Sequence, residues 1–238
     1  MWLAYIITLF ACYLLGSIPI GVIVGRGQGI DIREFGSGNI GATNVYRTLG
    51  KKAAAIVFLG DTLKGTLAVG LCMLMASQTH PPVQGDLLYL FKVLGAAWAV
   101  IGHNWSLFLG FEGGKGVATT LGTTVLIDWR VALVAFLVWL VLLLATRYMS
   151  VASMSAAVAA PFLAWLFPGV PPAYRIFFIL AAAFVVARHH GNTQRLLTGT
   201  ESRFGTKVPT RAGAAGGPEG EEAGASGASS GEARETDE

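Results

Sequence analysis

Seven apolar runs separated by short polar connections constrain this chain more than any other feature. They fall at Trp2–Val24, Ala53–Ala76, Leu87–Phe111, Val117–Ile127, Val131–Thr146, Val151–Phe167 and Ala173–Ala187. Hydrophobic residues make up 53% of the sequence and charged residues 13%, too apolar for an ordinary soluble domain. The expected fold is an all-α polytopic membrane protein with seven transmembrane helices. The fourth run is short for a hydrocarbon core of about 30 Å. It predicts a tilted or shielded helix, and six spans with a re-entrant segment is the alternative. No basic region precedes the first run and no small-residue cleavage site follows it, so it reads as a retained span. Ser17-Ile18-Pro19 inside that run reads as a kink.

Lysine and arginine segregate between the two sets of loops. One set carries Arg26, Arg33, Arg47, Lys51, Lys52, Lys115, Arg147, Arg188, Arg195 and Arg203; the other carries Arg130 and Arg175. Positive loops stay on the cytoplasmic side, which predicts the N-terminus outside and the C-terminus cytoplasmic. The polar motifs then share the cytoplasmic face. No convincing internal repeat is present, which weakens an inverted-repeat transporter reading.

The last residues differ in kind. From Ala212 to Glu238 there is no aromatic residue and no Leu, Ile or Val. Such a segment lacks the apolar surface to fold, so the expected division is a membrane domain over 1–211 and a disordered acidic Gly/Ala/Ser-rich tail over 212–238. The tail holds seven of the fourteen acids and one of the seventeen bases, which leaves the body at +9. That balance suits anionic lipid or phosphorylated ligands. Cys12 and Cys72 lie inside apolar runs and read as small buried hydrophobes.

The polar stretch Gly36-Ser37-Gly38-Asn39-Ile40-Gly41-Ala42-Thr43-Asn44, with Arg47 after it, lies between the first two runs. Closely spaced glycines let backbone N–H groups converge on an anion, and Arg47 offers a fork that fits phosphate. A structural turn with a helix cap is the plainer reading. A second constellation is Gly102-His103-Asn104 followed by Gly113-Gly114-Lys115-Gly116. It is not a Walker A loop, because Leu109 and Gly116 stand where that pattern needs Gly and Ser or Thr. Lys115 reads as an anion ligand or a snorkelling anchor, and His103 as a satisfied core histidine. A third is Arg147-Tyr148-Met149-Ser150, with Ser153 beyond; an anchor and a helix cap are the plain readings. The fourth runs Arg188-His189-His190-Gly191-Asn192, then Arg195-Leu196, Gly199 and Glu201. His189 and Asn192 share a face if the last helix continues. Asp61 and Lys64, three apart inside the second run, predict a structural ion pair.

Taken in order, these segments resemble the bacterial acyl-phosphate:glycerol-3-phosphate acyltransferase family. The match is carried by Gly16-Ser17-Ile18-Pro19, Asp31-Ile32-Arg33, Gly36 through Arg47, Gly102-His103 and Gly113 through Thr119. Arg147-Tyr148 with Ser150, and His189 with Asn192 and Arg195-Leu196, complete it. Thr193 departs from the isoleucine common in the family, and the tail lies outside the pattern. The resemblance implies an inner-membrane enzyme of the bacterial cell with its active site facing the cytoplasm. It would move a fatty acyl group from acyl phosphate to the 1-hydroxyl of glycerol 3-phosphate, giving lysophosphatidic acid and inorganic phosphate.

By that resemblance Lys115, Ser37, Arg47 and His189 carry the chemistry. Gly38, Asn39, Gly41, Thr43, Asn44, Gly113, Gly114, Gly116, Ser150 and Asn192 bind substrate. Ser37, Gly38, Asn39 and Gly41 would cradle the acyl phosphate. Lys115 would sit between two phosphates, and Arg47, Ser150, His189 and Asn192 would hold glycerol 3-phosphate. None of the four histidines has an acid five positions later, so the His–Asp motif of other glycerolipid acyltransferases is not available. A substrate phosphate oxygen is the expected proton acceptor, with His189 its rival. No cofactor, metal or nucleic acid is expected. Partners are the two small-molecule substrates, membrane lipid and the membrane-associated enzyme that makes acyl phosphate. The competing class is a membrane transporter of an organic phosphate.

Overall fold

The computed structural model describes residues 2–206, so the expected tail over 212–238 lies outside the described residues. Ten α-helices make up most of it. They are α1 Trp2–Ser17, α2 Ile20–Arg26, α3 Ala42–Leu49, α4 Lys51–Ser77 and α5 Gly85–Asn104, then α6 Val117–Ile127, α7 Trp129–Thr146, α8 Met149–Leu166, α9 Pro172–Arg188 and α10 His190–Leu197.

Among the described residues, five stretches are long and apolar enough to cross a bilayer: Trp2–Arg26, which joins α1 and α2, and helices α4, α5, α7 and α8. Helices α9 and α10 make a sixth if taken together, bent by 56° at His189. The sequence predicts seven. The difference is α6, which forms over the expected residues but has eleven of them. At 1.5 Å per residue it reaches roughly 16 Å, about half a hydrocarbon core. The break between α1 and α2 falls at Ile18–Pro19, where proline has no N–H to continue the ladder.

The outward faces are apolar, as a bilayer requires. Leu59, Leu63 and Leu67 of α4 are exposed at helical spacing, as are Leu133, Leu137, Val141 and Leu144 of α7. Inside, small residues let the helices approach. A Cβ on Gly122 of α6 would overlap the Thr62 carbonyl of α4, and one on Gly65 would overlap the Thr119 carbonyl. Thr66 Oγ1 of α4 also donates to the Gly122 carbonyl at 2.9 Å. Such contacts replace the hydrophobic drive that lipid does not supply between helices. Gly122→Leu is therefore expected to overpack this seam by about 1–3 kcal/mol. A thermal melt in detergent reads it as a lowered midpoint; an unchanged midpoint would contradict the close approach.

One buried cluster positions the polar loop. Val22 of α2, Ile32 and Ile40 of the loop, Val45 of α3 and Val57 of α4 pack together. Burying Ile32 and Ile40 fixes both ends of the glycine-rich stretch against α2 and α4. A second cluster joins Val69, Ile127, Val131, Ala164 and Phe178 across α4, α6, α7, α8 and α9.

Candidate active site

The loop before α3 is shaped by two asparagines. Asn44, 1% exposed, donates through Nδ2 to the Ile32 and Phe35 carbonyls at 3.1 and 3.0 Å. Its Oδ1 accepts from the Ser37 N–H at 3.0 Å. Asn39 Oδ1 accepts from the Gly41 N–H at 2.8 Å, and the Gly38 N–H donates to the Phe35 carbonyl. Gly36 and Gly38 turn the chain with φ of 60° and 68°. The N–H groups of Ser37, Gly38 and Gly41 are thus already paired within the loop. This corrects the expected anion nest, because side-chain oxygens of Asn39 and Asn44 and the Phe35 carbonyl have taken those donors. Asn44 lies beneath the loop as a brace rather than facing the cavity.

A cavity of about 300 Å³ opens in front of this loop. Ser37, Asn39, Gly41, Thr43 and Arg47 form one wall. Lys115 and Gly116, from the connection between α5 and α6, form another. Ser150, His189 and Asn192 come from α8 and the bend between α9 and α10. Ten of the fourteen expected site residues thus meet at one place. Gly38, Asn44, Gly113 and Gly114 do not line it. The two glycines instead let the Lys115 connection settle on the end of α5: a Cβ on Gly113 would overlap the His103 carbonyl, and one on Gly114 the His103 ring.

The bend between α9 and α10 brings His189 and Asn192 to the same cavity although the helix does not continue through them. His189 Nδ1 lies 2.7 Å from the Val185 carbonyl. A carbonyl only accepts, so Nδ1 carries the proton, and in the neutral ring Nε2 keeps a lone pair. Lys115 Nζ donates to Asn192 Oδ1.

Glu201 organises the remaining wall. It is buried, and Oε1 accepts from Ser150 Oγ at 2.8 Å and Asn192 Nδ2 at 2.7 Å. Its Oε2 accepts from Arg195 Nε at 2.8 Å. Burial pushes this carboxyl up, but the hydrogen bonds and the Arg195 charge outweigh that and hold it below the usual range. The segment after α10 then crosses toward α3. The Ser202 carbonyl accepts from Arg47 Nη2 at 3.0 Å, and Phe204 stacks on Tyr46 with centroids 4.5 Å apart. Glu201 and Arg195 are not among the site residues expected from the sequence, and neither are Tyr46 and Phe204. A signal for Glu201 was present: it is the one acid between Asp128 and the tail, set among arginines. Among the described residues no cluster of histidine, cysteine or acid has metal-binding geometry.

Burial and the neighbouring Arg195 charge lower the Lys115 ammonium to about 8, with Arg47 and Arg188 adding to the effect. The ammonium is therefore charged below that pH and loses its proton above it. A phosphate monoester is already a dianion in this range. Affinity for a phosphate monoester is expected to fall about tenfold from pH 7 to pH 9 if only the charged form binds. Lys115→Arg should remove that limb. Calorimetric titration across the range checks it, and a flat profile in the parent protein would contradict it.

The comparisons with known proteins agree with one another. A family model described as glycerol-3-phosphate acyltransferase matches residues 6–199. A glycerol-3-phosphate acyltransferase of Synechococcus sp. (strain JA-3-3Ab) is 45% identical over 207 residues, covering 87% of this chain and 96% of the relative. One from Rubrobacter xylanophilus is 44% identical over 193 residues, covering 81% and 92%. A crystal structure of PlsY, an integral membrane glycerol 3-phosphate acyltransferase in its glycerol 3-phosphate form, superposes with a TM-score of 0.75. It is 39% identical and covers 85% of this chain and 96% of that one. The lysophosphatidic acid form of PlsY gives 0.73 at 38% identity. With the match spanning every wall of the cavity up to Gly199, this acyltransferase chain belongs to the glycerol-3-phosphate acyltransferase family.

Proposed function

We propose that the enzyme transfers a fatty acyl group from acyl phosphate to the 1-hydroxyl of sn-glycerol 3-phosphate, releasing lysophosphatidic acid and inorganic phosphate. One observation carries this reading. The cationic cavity runs into an apolar one between α4, α6, α7 and α8, and the two share Phe58, Val117, Ala118, Trp139 and Ser153. A donor with a phosphate at one end and an alkyl chain at the other fits that change of lining. Similar PlsY structures have been solved in glycerol 3-phosphate and lysophosphatidic acid forms, which supports the acceptor and the product.

The chemistry asks for little covalent help. The acceptor hydroxyl oxygen attacks the acyl carbon, the ester C–O bond forms, and the C–O bond to phosphate breaks. Phosphate leaves with the electron pair. Lys115 between the two phosphates offsets their repulsion and the charge that builds on the leaving group. Ser37, Asn39, Gly41 and Thr43 border the donor phosphate, with Gly116 beside Lys115. Arg47, Ser150, His189 and Asn192 hold glycerol 3-phosphate. Gly38, Gly113 and Gly114 shape the backbone that presents these groups. Held together in this way, the reactants gain most of the rate from proximity.

A phosphate oxygen takes the hydroxyl proton, and His189 orients the acceptor. His189→Gln is then expected to weaken glycerol 3-phosphate binding. Lost turnover with unchanged binding would instead make His189 the base.

Seven crossings, with the N-terminus outside and the site facing the cytoplasm of the inner membrane, complete the reading. The parity of the chain supports it. Lys115 before α6 and Ser150 after α7 border one cavity, and α7 is long and apolar enough for a full span. On this reading helix α6 carries the chain back across. Its shortness is no obstacle, because Asp61 at the cavity lies ten residues, roughly 15 Å, into α4. The domain would cover 1–211, with 212–238 as a separate tail.

Donor choice is the test. Purified protein with glycerol 3-phosphate is given palmitoyl phosphate or palmitoyl-CoA. Lysophosphatidic acid is expected from palmitoyl phosphate alone. Equal yield from the thioester would overturn the donor. Accumulation of glycerol 3-phosphate inside proteoliposomes without product would favour the transporter.

A further inference from the structure

A buried polar chain runs along the inner wall of the cavity, and the reaction described above does not use it. At the α1–α2 break the Ile18 carbonyl accepts from Lys64 Nζ at 2.8 Å. The same ammonium pairs with Asp61 Oδ1 at 2.8 Å, which is the ion pair expected from the sequence. Asp61 Oδ1 in turn lies 3.5 Å from His103 Nδ1 at the end of α5. All three side chains are 3–4% exposed. The opposite edge of the imidazole rests against Gly114, where a Cβ would overlap Nε2. The Gly114 N–H donates to the His103 carbonyl at 3.1 Å. Lys115 is the next residue.

Charged groups within a membrane domain are costly and need a reason. An Asp61–Lys64 pair would be complete without an imidazole beside it, and leucine would fill the same space. The ring instead spans from the Asp61 carboxylate to the backbone that carries Lys115. Asp61 and His103 also border the cavity itself.

We propose that His103, oriented by Asp61 and Lys64, is a positioning residue that sets the height and direction of the Lys115 connection against the two phosphates. This rests on the functional reading above, in which Lys115 meets glycerol 3-phosphate. His103 acts through Lys115 and touches neither substrate.

A double-mutant cycle on glycerol 3-phosphate affinity tests this, using the full chain and calorimetry so that no turnover is needed. His103→Ala is expected to weaken binding about tenfold in the parent, and to change it by less than about twofold once Lys115 is alanine. His103→Asn places an amide nitrogen where Nδ1 stood and is expected to recover affinity to within about threefold of the parent. Asp61→Asn is the second probe, with the same non-additivity, should His103→Ala not fold. Losses that multiply with Lys115→Ala, or a His103→Ala protein that binds like the parent, overturn the proposal while the function stands. A parent that does not bind glycerol 3-phosphate, or a Lys115→Ala protein that binds it equally well, overturns the functional reading and this proposal together.

Discussion

Lys115→Ala is expected to lower kcat/KM by about a thousandfold or more while leaving the thermal midpoint nearly unchanged. The expectation follows from where the chain puts this ammonium. The connection that carries it is docked on α5 through Gly113 and Gly114, and the Gly114 carbonyl accepts from Arg188 at 2.9 Å. Its own hydrogen bond goes to Asn192, another wall of the cavity. Little of the fold depends on the side chain, so the loss falls on the reaction. In the proposed reaction two phosphates brought together repel each other, and the charge on the leaving phosphate grows as the acyl bond breaks. Removing Lys115, the one lysine at the cavity among the described residues, leaves that charge to Arg47 and Arg195. Lys115→Arg should retain part of the activity, because the charge survives but the fork cannot reproduce a point charge between two anions. Steady-state rates with both substrates varied check this. A Lys115→Ala enzyme within tenfold of the parent would contradict it.

The second large effect is at Glu201. Glu201→Ala is expected to raise KM for glycerol 3-phosphate by about 10- to 100-fold and to cost about 2–4 kcal/mol of stability. The carboxylate accepts from Ser150, Asn192 and Arg195 at once. Without it, two groups proposed to bind the acceptor lose their orientation and the half-exposed Arg195 loses its partner. The crossing segment also loses its anchor: Ser202 on Arg47, and Phe204 on Tyr46 with its N–H on the Arg147 carbonyl, follow directly after Glu201. Glu201→Gln keeps an acceptor oxygen for Ser150 and Asn192 and loses the charge and the acceptor facing Arg195. Its expected loss is within about tenfold. Equal effects of Ala and Gln would show that charge, not geometry, is the contribution.

Local patterns in the sequence predict the helices well. Apolar runs of near span length sit where the helices form, because each must satisfy its own backbone in lipid. Span number was harder to read, since eleven residues of α6 cannot announce whether neighbours make up the missing thickness. For the cavity, glycine, lysine and histidine motifs on four separate segments pointed to residues that do meet. What the sequence hid is pairing. Asn44 looks like a ligand in one dimension, but its amide fits the Ile32 and Phe35 carbonyls and the Ser37 N–H of its own loop. Gly113 and Gly114 look like an anion loop, yet they are small because His103 lies under them. His103 has no acid at a fixed offset along the chain; Asp61 reaches it from another helix, 42 positions away. Such partners are set by helix packing, which no local motif records.

One measurement bears most directly on the claim that a phosphate cavity and an apolar groove hold a single donor. A hydrolysis-resistant acyl phosphonate with a diazirine near the chain end is photolysed with the purified protein, and the labelled residues are mapped. Label is expected on groove residues such as Phe136, Trp139 and Ala157, and it should fade when excess palmitoyl phosphate is present. Label spread over the outward faces, at Leu133 and Leu137 of α7, and indifferent to competitor, would contradict the shared site.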